Sequence, residues 1–298
     1  MDLAHPVTVI LIAIATWWLS TGLVLAMVHR AERGGWRPVT VLGLTTLAGA
    51  AGLALMLEGG ANPTPMGSYT GFLGALLVWA WHEVAFLTGV LTGRRGDCPP
   101  GLTGLARFHA AWRAVRDHEL AILATGIVLW LLLAEAPNRF GLAAFGLLWG
   151  MRISAKLLIF LGAPHAVSDL MPRGISHLKS YFNTGRLTPV FPVLLAIAGG
   201  LFLVLVLGAS RAVQDYSTVG HILLATFMAL AIIEHLILVV PVSDTALWRW
   251  ALPRTQEAKP RKEAPQGTPL GSPPLDEMAR LGLPRKERAD GRLGMSET

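Results

Sequence analysis

The feature that most constrains this chain is a succession of apolar blocks about 20 residues long, with nearly all charges confined to the stretches between them. A helix of that length rises about 30 Å, the thickness of a bilayer's hydrocarbon core. Within hydrocarbon each backbone N–H and C=O must find its partner inside its own segment, so blocks of this kind read as transmembrane helices. Seven can be drawn, at residues 7–28, 39–57, 70–92, 117–134, 140–161, 190–208 and 219–240. With 53% hydrophobic and 15% charged residues and a mean hydropathy of +0.52, a soluble globular enzyme and a disordered chain are both excluded. The expected fold is an all-α integral membrane bundle of about seven transmembrane helices.

The charges between the blocks give an orientation. Lys and Arg number 3, 0, 5, 1, 3 and 1 in the six successive loops, and 10 follow the last block. By the positive-inside rule this alternation puts the N-terminus on the periplasmic side, and loops one, three and five with the C-terminus in the cytoplasm. The net charge of +6 is therefore a topology signal, and nucleic acid is not an expected partner. The first block is longer than a signal-peptide core and has its basic residues after it, so it reads as an anchor. One cysteine, Cys98, excludes an intrachain disulfide and a Cys-x-x-Cys pair.

The membrane domain is expected over residues 1–253. Residues 93–116 carry Arg107, Phe108, Trp112, Arg113 and Arg116, a pattern that suits an interfacial helix leading into the fourth span. The loop 162–189, with Asp169, His177, Tyr181 and Phe182, is expected to lie against the membrane. Residues 254–298 are rich in Pro, Gly and charge, and read as a disordered basic cytoplasmic tail. Trp36, Trp112, Trp248 and Trp250 occupy interface-anchor positions, whereas Trp17, Trp18, Trp79 and Trp81 sit deeper. Gly146, Gly150 and Ser154 form a small-residue stripe that predicts close helix contact along the fifth span.

Ionisable residues inside spans are where function is sought, because each costs at least about 2.5–3.5 kcal/mol to insert. They are His82-Glu83, Asp117-His118-Glu119, Arg152 with Lys156, and Glu234-His235. One reading is a structural ion network in which Arg152 and Lys156, four apart and so on one helical face, balance Glu83, Glu119 and Glu234. Another is a cofactor site: His82, His118 and His235 as ligands of a metal or tetrapyrrole, with the same glutamates as metal ligands. Haem, bacteriochlorophyll and iron are the candidates. A dimetal oxygenase has little support, since no Glu-x-x-His spacing occurs, and a channel lacks broken helices or inverted repeats.

The blocks Trp79 to Gly89, Phe108 to Leu123, Ala136 to Gly162, Leu178 to Asn183 and Glu234 to Leu252 resemble the PuhE family of photosynthetic complex assembly proteins of purple phototrophic bacteria. The likeness runs from about residue 5 to 253. It implies a cytoplasmic or intracytoplasmic membrane protein needed for build-up of reaction-centre and light-harvesting complexes and linked to bacteriochlorophyll production. Its partners would be those subunits or other assembly factors. The positions carried over are His82, Glu83, His118, Glu119, Asn138, Arg152, Lys156, Glu234 and His235, with no chemistry attached to them. The two resulting expectations are a non-catalytic assembly factor and a membrane redox or tetrapyrrole-modifying enzyme that uses an intramembrane His/Glu site.

Overall fold

The computed structural model describes residues 2–166 and 171–241, so Asp169, Trp248, Trp250 and the expected tail at 254–298 lie outside the described residues. Among those described there are seven α-helices, one 3-10 helix and no strand. In order they are α1 (Pro6–Glu32), α2 (Pro38–Ala61), α3 (Pro65–Leu87), α4 (Gly104–Leu133), α5 (Phe140–Leu161), the 3-10 helix (Arg173–Tyr181), α6 (Val190–Arg211) and α7 (Asp215–Ile237). Six of the seven α-helices, all but α4, are long and apolar enough to cross a membrane. The exception carries Arg107, Arg113, Arg116, Asp117 and Glu119 between its start and its middle.

Local chemistry sets the helix ends. The third block is displaced from its predicted 70–92 because Thr64 caps α3, its Oγ1 accepting from Gly67 N–H at 3.1 Å, with Pro65 in the first turn. At the other end Gly89 takes φ 76°, a left-handed conformation that suits glycine, and donates to Phe86 O at 2.8 Å. Val90 and Leu91, apolar though they are, thus fall outside the helix. The fourth block is the second half of a longer helix: α4 runs unbroken from Gly104 through the basic aromatic stretch.

The third helix is the most enclosed of the six, packing on α1, α2, α5 and α7. Glycines make that possible. A Cβ on Gly59 would lie 2.5 Å from Gly67 O and Gly71 N, and one on Gly74 would lie 2.5 Å from Gly52 O, so α2 and α3 touch backbone to backbone. On the opposite side a Cβ on Gly141 would meet Gly71 O at 2.7 Å, joining α3 to the start of α5. Gly146 and Gly150, predicted to serve this purpose, have nothing within 4 Å and face outward. The small-residue contact of α5 is one turn earlier, because the helix crosses α3 near its N-terminus.

Polar and aromatic links lock the same region. Asn138, 3% exposed, donates to Ser68 Oγ at 3.1 Å and Asn62 O at 3.2 Å, while Ser68 donates to Tyr216 O at 2.8 Å. Phe72 stands edge-on to Phe227 at 4.6 Å, joining α3 to α7. At the far end, Ile175, Leu178 and Tyr181 of the 3-10 helix pack with Phe86 and Ala114. Arg107 donates to Phe160 O at 3.2 Å and Tyr181 O at 2.8 Å, taking up carbonyls that the ends of α5 and the 3-10 helix leave unpaired.

The close α2–α3 contact predicts that Gly59→Val sharply lowers the amount of protein in membranes, because backbone atoms cannot yield. Gly146→Val, with open space, should leave it near wild type. Quantitative immunoblotting of membrane fractions checks both.

Candidate functional site

The two cations of α5 stand one turn apart and reach different helices. Arg152 Nη2 lies 2.7 Å from Glu83 Oε2 on α3, and Lys156 Nζ lies 2.5 Å from Glu119 Oε1 on α4. Trp149 Nε1 donates to the other oxygen of Glu119 at 3.2 Å, so three residues on a single face of α5 hold two carboxylates. Glu234 of α7 accepts from Trp17 Nε1 of α1 at 3.2 Å. The structure thus brings Glu83, Glu119, Arg152 and Lys156 together in two pairs and ties Glu234 to the first helix.

The three predicted histidines are buried, each at its own contact. His82 Nε2 is 3.0 Å from Thr125 Oγ1, linking α3 to α4. His235 Nδ1 donates to Ala231 O at 2.7 Å, and its Nε2 lies 2.6 Å from Ser154 Oγ, linking α7 to α5. His118 is fully buried, and among the described residues neither ring nitrogen has a hydrogen-bond partner; its ring lies 4.4 Å from Phe86, tilted by 34°. His82 Nδ1 is also without a partner. The His82 and His118 ring centroids are 6.4 Å apart. Among the described residues no three His, Cys, Asp or Glu side chains are grouped so as to hold a metal ion.

The carboxylates and cations surround a space that sequence periodicity did not reveal. A cavity of about 800 Å³ lies between α1, α3, α4, α5, α7 and the 3-10 helix. Glu83, Glu119, Glu234, Arg152 and Lys156 all line it, and otherwise its walls are mainly apolar and aromatic. Trp17, Trp79, Trp112 and Trp149, each from a different helix, contribute to those walls. His82, His118 and His235 are not among the lining side chains. Tyr181 lines the cavity too; burial pushes its phenol above the ordinary pKa, and its hydroxyl donates to Gly96 O at 3.4 Å. Trp149 was not anticipated as a site residue; its position three before Arg152 and seven before Lys156 is the helical signal that could have found it.

Six apolar helices long enough to cross a membrane, four of which (α1, α3, α5 and α7) line the cavity, define a multi-pass helical membrane protein. The chain belongs to the family described as "Protein of unknown function (DUF3623)", which matches residues 3–259. A relative from Rhodobacter capsulatus named "Uncharacterized 30.4 kDa protein in puhA 5'region" is 35% identical over 261 residues, covering 85% of this chain and 93% of the relative. No solved structure matches.

The Glu119 side chain is 8% exposed and that of Lys156 23%, so removing one partner strands a buried charge. Lys156→Met is expected to destabilise by about 3–5 kcal/mol, and Lys156→Met with Glu119→Leu to recover most of that loss, because the desolvation penalty disappears with the pair. Thermal unfolding in detergent measures both. Arg152→Met should be milder, its guanidinium being more open and better screened.

Proposed function

We propose that this protein supports assembly of photosynthetic reaction-centre and light-harvesting complexes and is linked to bacteriochlorophyll supply, as the PuhE-like blocks imply. The observation that carries this reading is the relative encoded in the puhA 5' region, which aligns over 93% of its own length. The geometry supports a non-catalytic role: the intramembrane carboxylates are engaged in cross-helix contacts that hold the walls of a cavity.

In this reading α4 is a seventh span. Its second half presents Ile127, Val128, Leu131 and Leu132 outward, a surface suited to lipid or to a membrane partner. The N-terminus is periplasmic, and the basic loops, among them the stretch before α4, face the cytoplasm. The partners are reaction-centre or light-harvesting subunits or other assembly factors.

A second reading, a membrane redox or tetrapyrrole-modifying enzyme, is favoured by the His82 and His118 rings with their three unpartnered nitrogens. A haem held between those rings does not fit, since neither ring lines the cavity wide enough to take a macrocycle.

Deleting the gene in its phototrophic host should lower reaction-centre and light-harvesting absorbance in membranes, and the tagged protein should co-purify with subunits of those complexes. Unchanged absorbance together with no co-purifying subunit would refute the assembly role. The purified protein should carry no haem or iron at stoichiometric level; either one, lost in a His118→Ala variant, would establish the enzyme reading instead.

A further inference from the structure

We propose that this half-open cavity is a binding site for a flat, conjugated, lipophilic ring with carbonyl oxygens at its edge, held by aromatic walls and by the spare N–H donors of Arg152 rather than by a histidine–metal bond. The inference rests on the cavity alone and does not need the assembly role.

Size comes first. At about 800 Å³ the space falls within the range of roughly 300–1,000 Å³ typical of sites that enclose small organic ligands. Its walls supply the second argument. Four tryptophans from four helices line it, and two of them are held in place by carboxylates, Trp17 by Glu234 and Trp149 by Glu119. Indoles anchored through their N–H groups are rigid apolar plates, which match a planar π-system better than a flexible acyl chain.

Polarity gives the third. Among the described residues Arg152 makes one hydrogen bond, from Nη2 to Glu83, although a guanidinium carries five N–H donors. Its Nε, like Glu83 Oε1, is closed off from the cavity, but its side chain is 36% open where it lines that space, which leaves the outer guanidinium donors within reach. Unmet donors beside an apolar space call for an acceptor oxygen on whatever fills it. The ligand need bring no net charge, because each cation already faces a carboxylate. Finally, the three intramembrane histidines are absent from the lining, so recognition through a metal centre has no imidazole to use.

Quinones and bacteriochlorins both carry edge carbonyls on a conjugated ring, and the test separates them. The full-length protein in lipid nanodiscs is titrated with a short-chain ubiquinone analogue, with bacteriochlorophyll and with metal-free bacteriopheophytin, and tryptophan quenching is recorded. At least one ring class should bind in the low micromolar range or tighter, and the two bacteriochlorins should differ by less than about threefold. Ala80→Phe and Ala155→Phe, which add a ring at two lining positions that make no polar link, should weaken binding tenfold or more while leaving the thermal midpoint within a few degrees. Binding by the quinone alone identifies a quinone site, and binding by the bacteriochlorins identifies a pigment site. The proposal is overturned if neither class binds, if the filled variants bind as tightly as wild type, or if only the magnesium form binds.

Discussion

Everything else in this structure depends on one face of α5, where Trp149, Arg152 and Lys156 meet acids from two other helices. Inside a membrane the hydrophobic effect does not draw helices together, since lipid is as apolar as leucine. Close glycine contact and polar cross-links take its place. The glycines join α2, α3 and the start of α5 over one half of the bundle. On the side of the cavity, the charged pairs link α5 to α3 and to α4. That division explains how a small chain can hold a cavity of about 800 Å³ without collapsing onto it.

The helices themselves were legible, because a run of 20 apolar residues has few structural solutions. Their ends were less so. Hydropathy placed the third block at 70–92, yet the Thr64 cap and the turn at Gly89 set α3 five residues earlier at either end. The basic aromatic stretch reads as an interfacial helix leading into the fourth span, and in the structure the two are one unbroken helix from Gly104 to Leu133. Glycine spacing misled: Gly146 and Gly150 have the right interval, but interval says nothing of which face another helix covers.

For the candidate site, residue type and depth pointed to the acids and cations, and the four-residue interval of Arg152 and Lys156 placed both on one face. What the sequence could not supply was the separation of roles. In each His-Glu neighbour the glutamate lines the cavity and the histidine does not, since adjacent helical residues point about 100° apart. The histidines instead stitch α3 to α4 and α7 to α5, apart from His118, which lies tilted against Phe86 with both nitrogens unpartnered among the described residues. A tertiary cavity built from five helices and a 3-10 turn leaves no periodic trace in any one of them.

The most direct test of this account is the distance between the Lys156 ammonium and the Glu119 carboxylate in a lipid bilayer. Only five lysines occur in the chain, so ¹⁵Nζ-lysine, ¹³C-glutamate protein in membranes is suited to rotational-echo solid-state NMR. The account predicts a lysine signal with the strong dipolar dephasing of a direct ion pair, which disappears in Glu119→Gln. A Lys156 signal that shows no coupling to any carboxylate would contradict it.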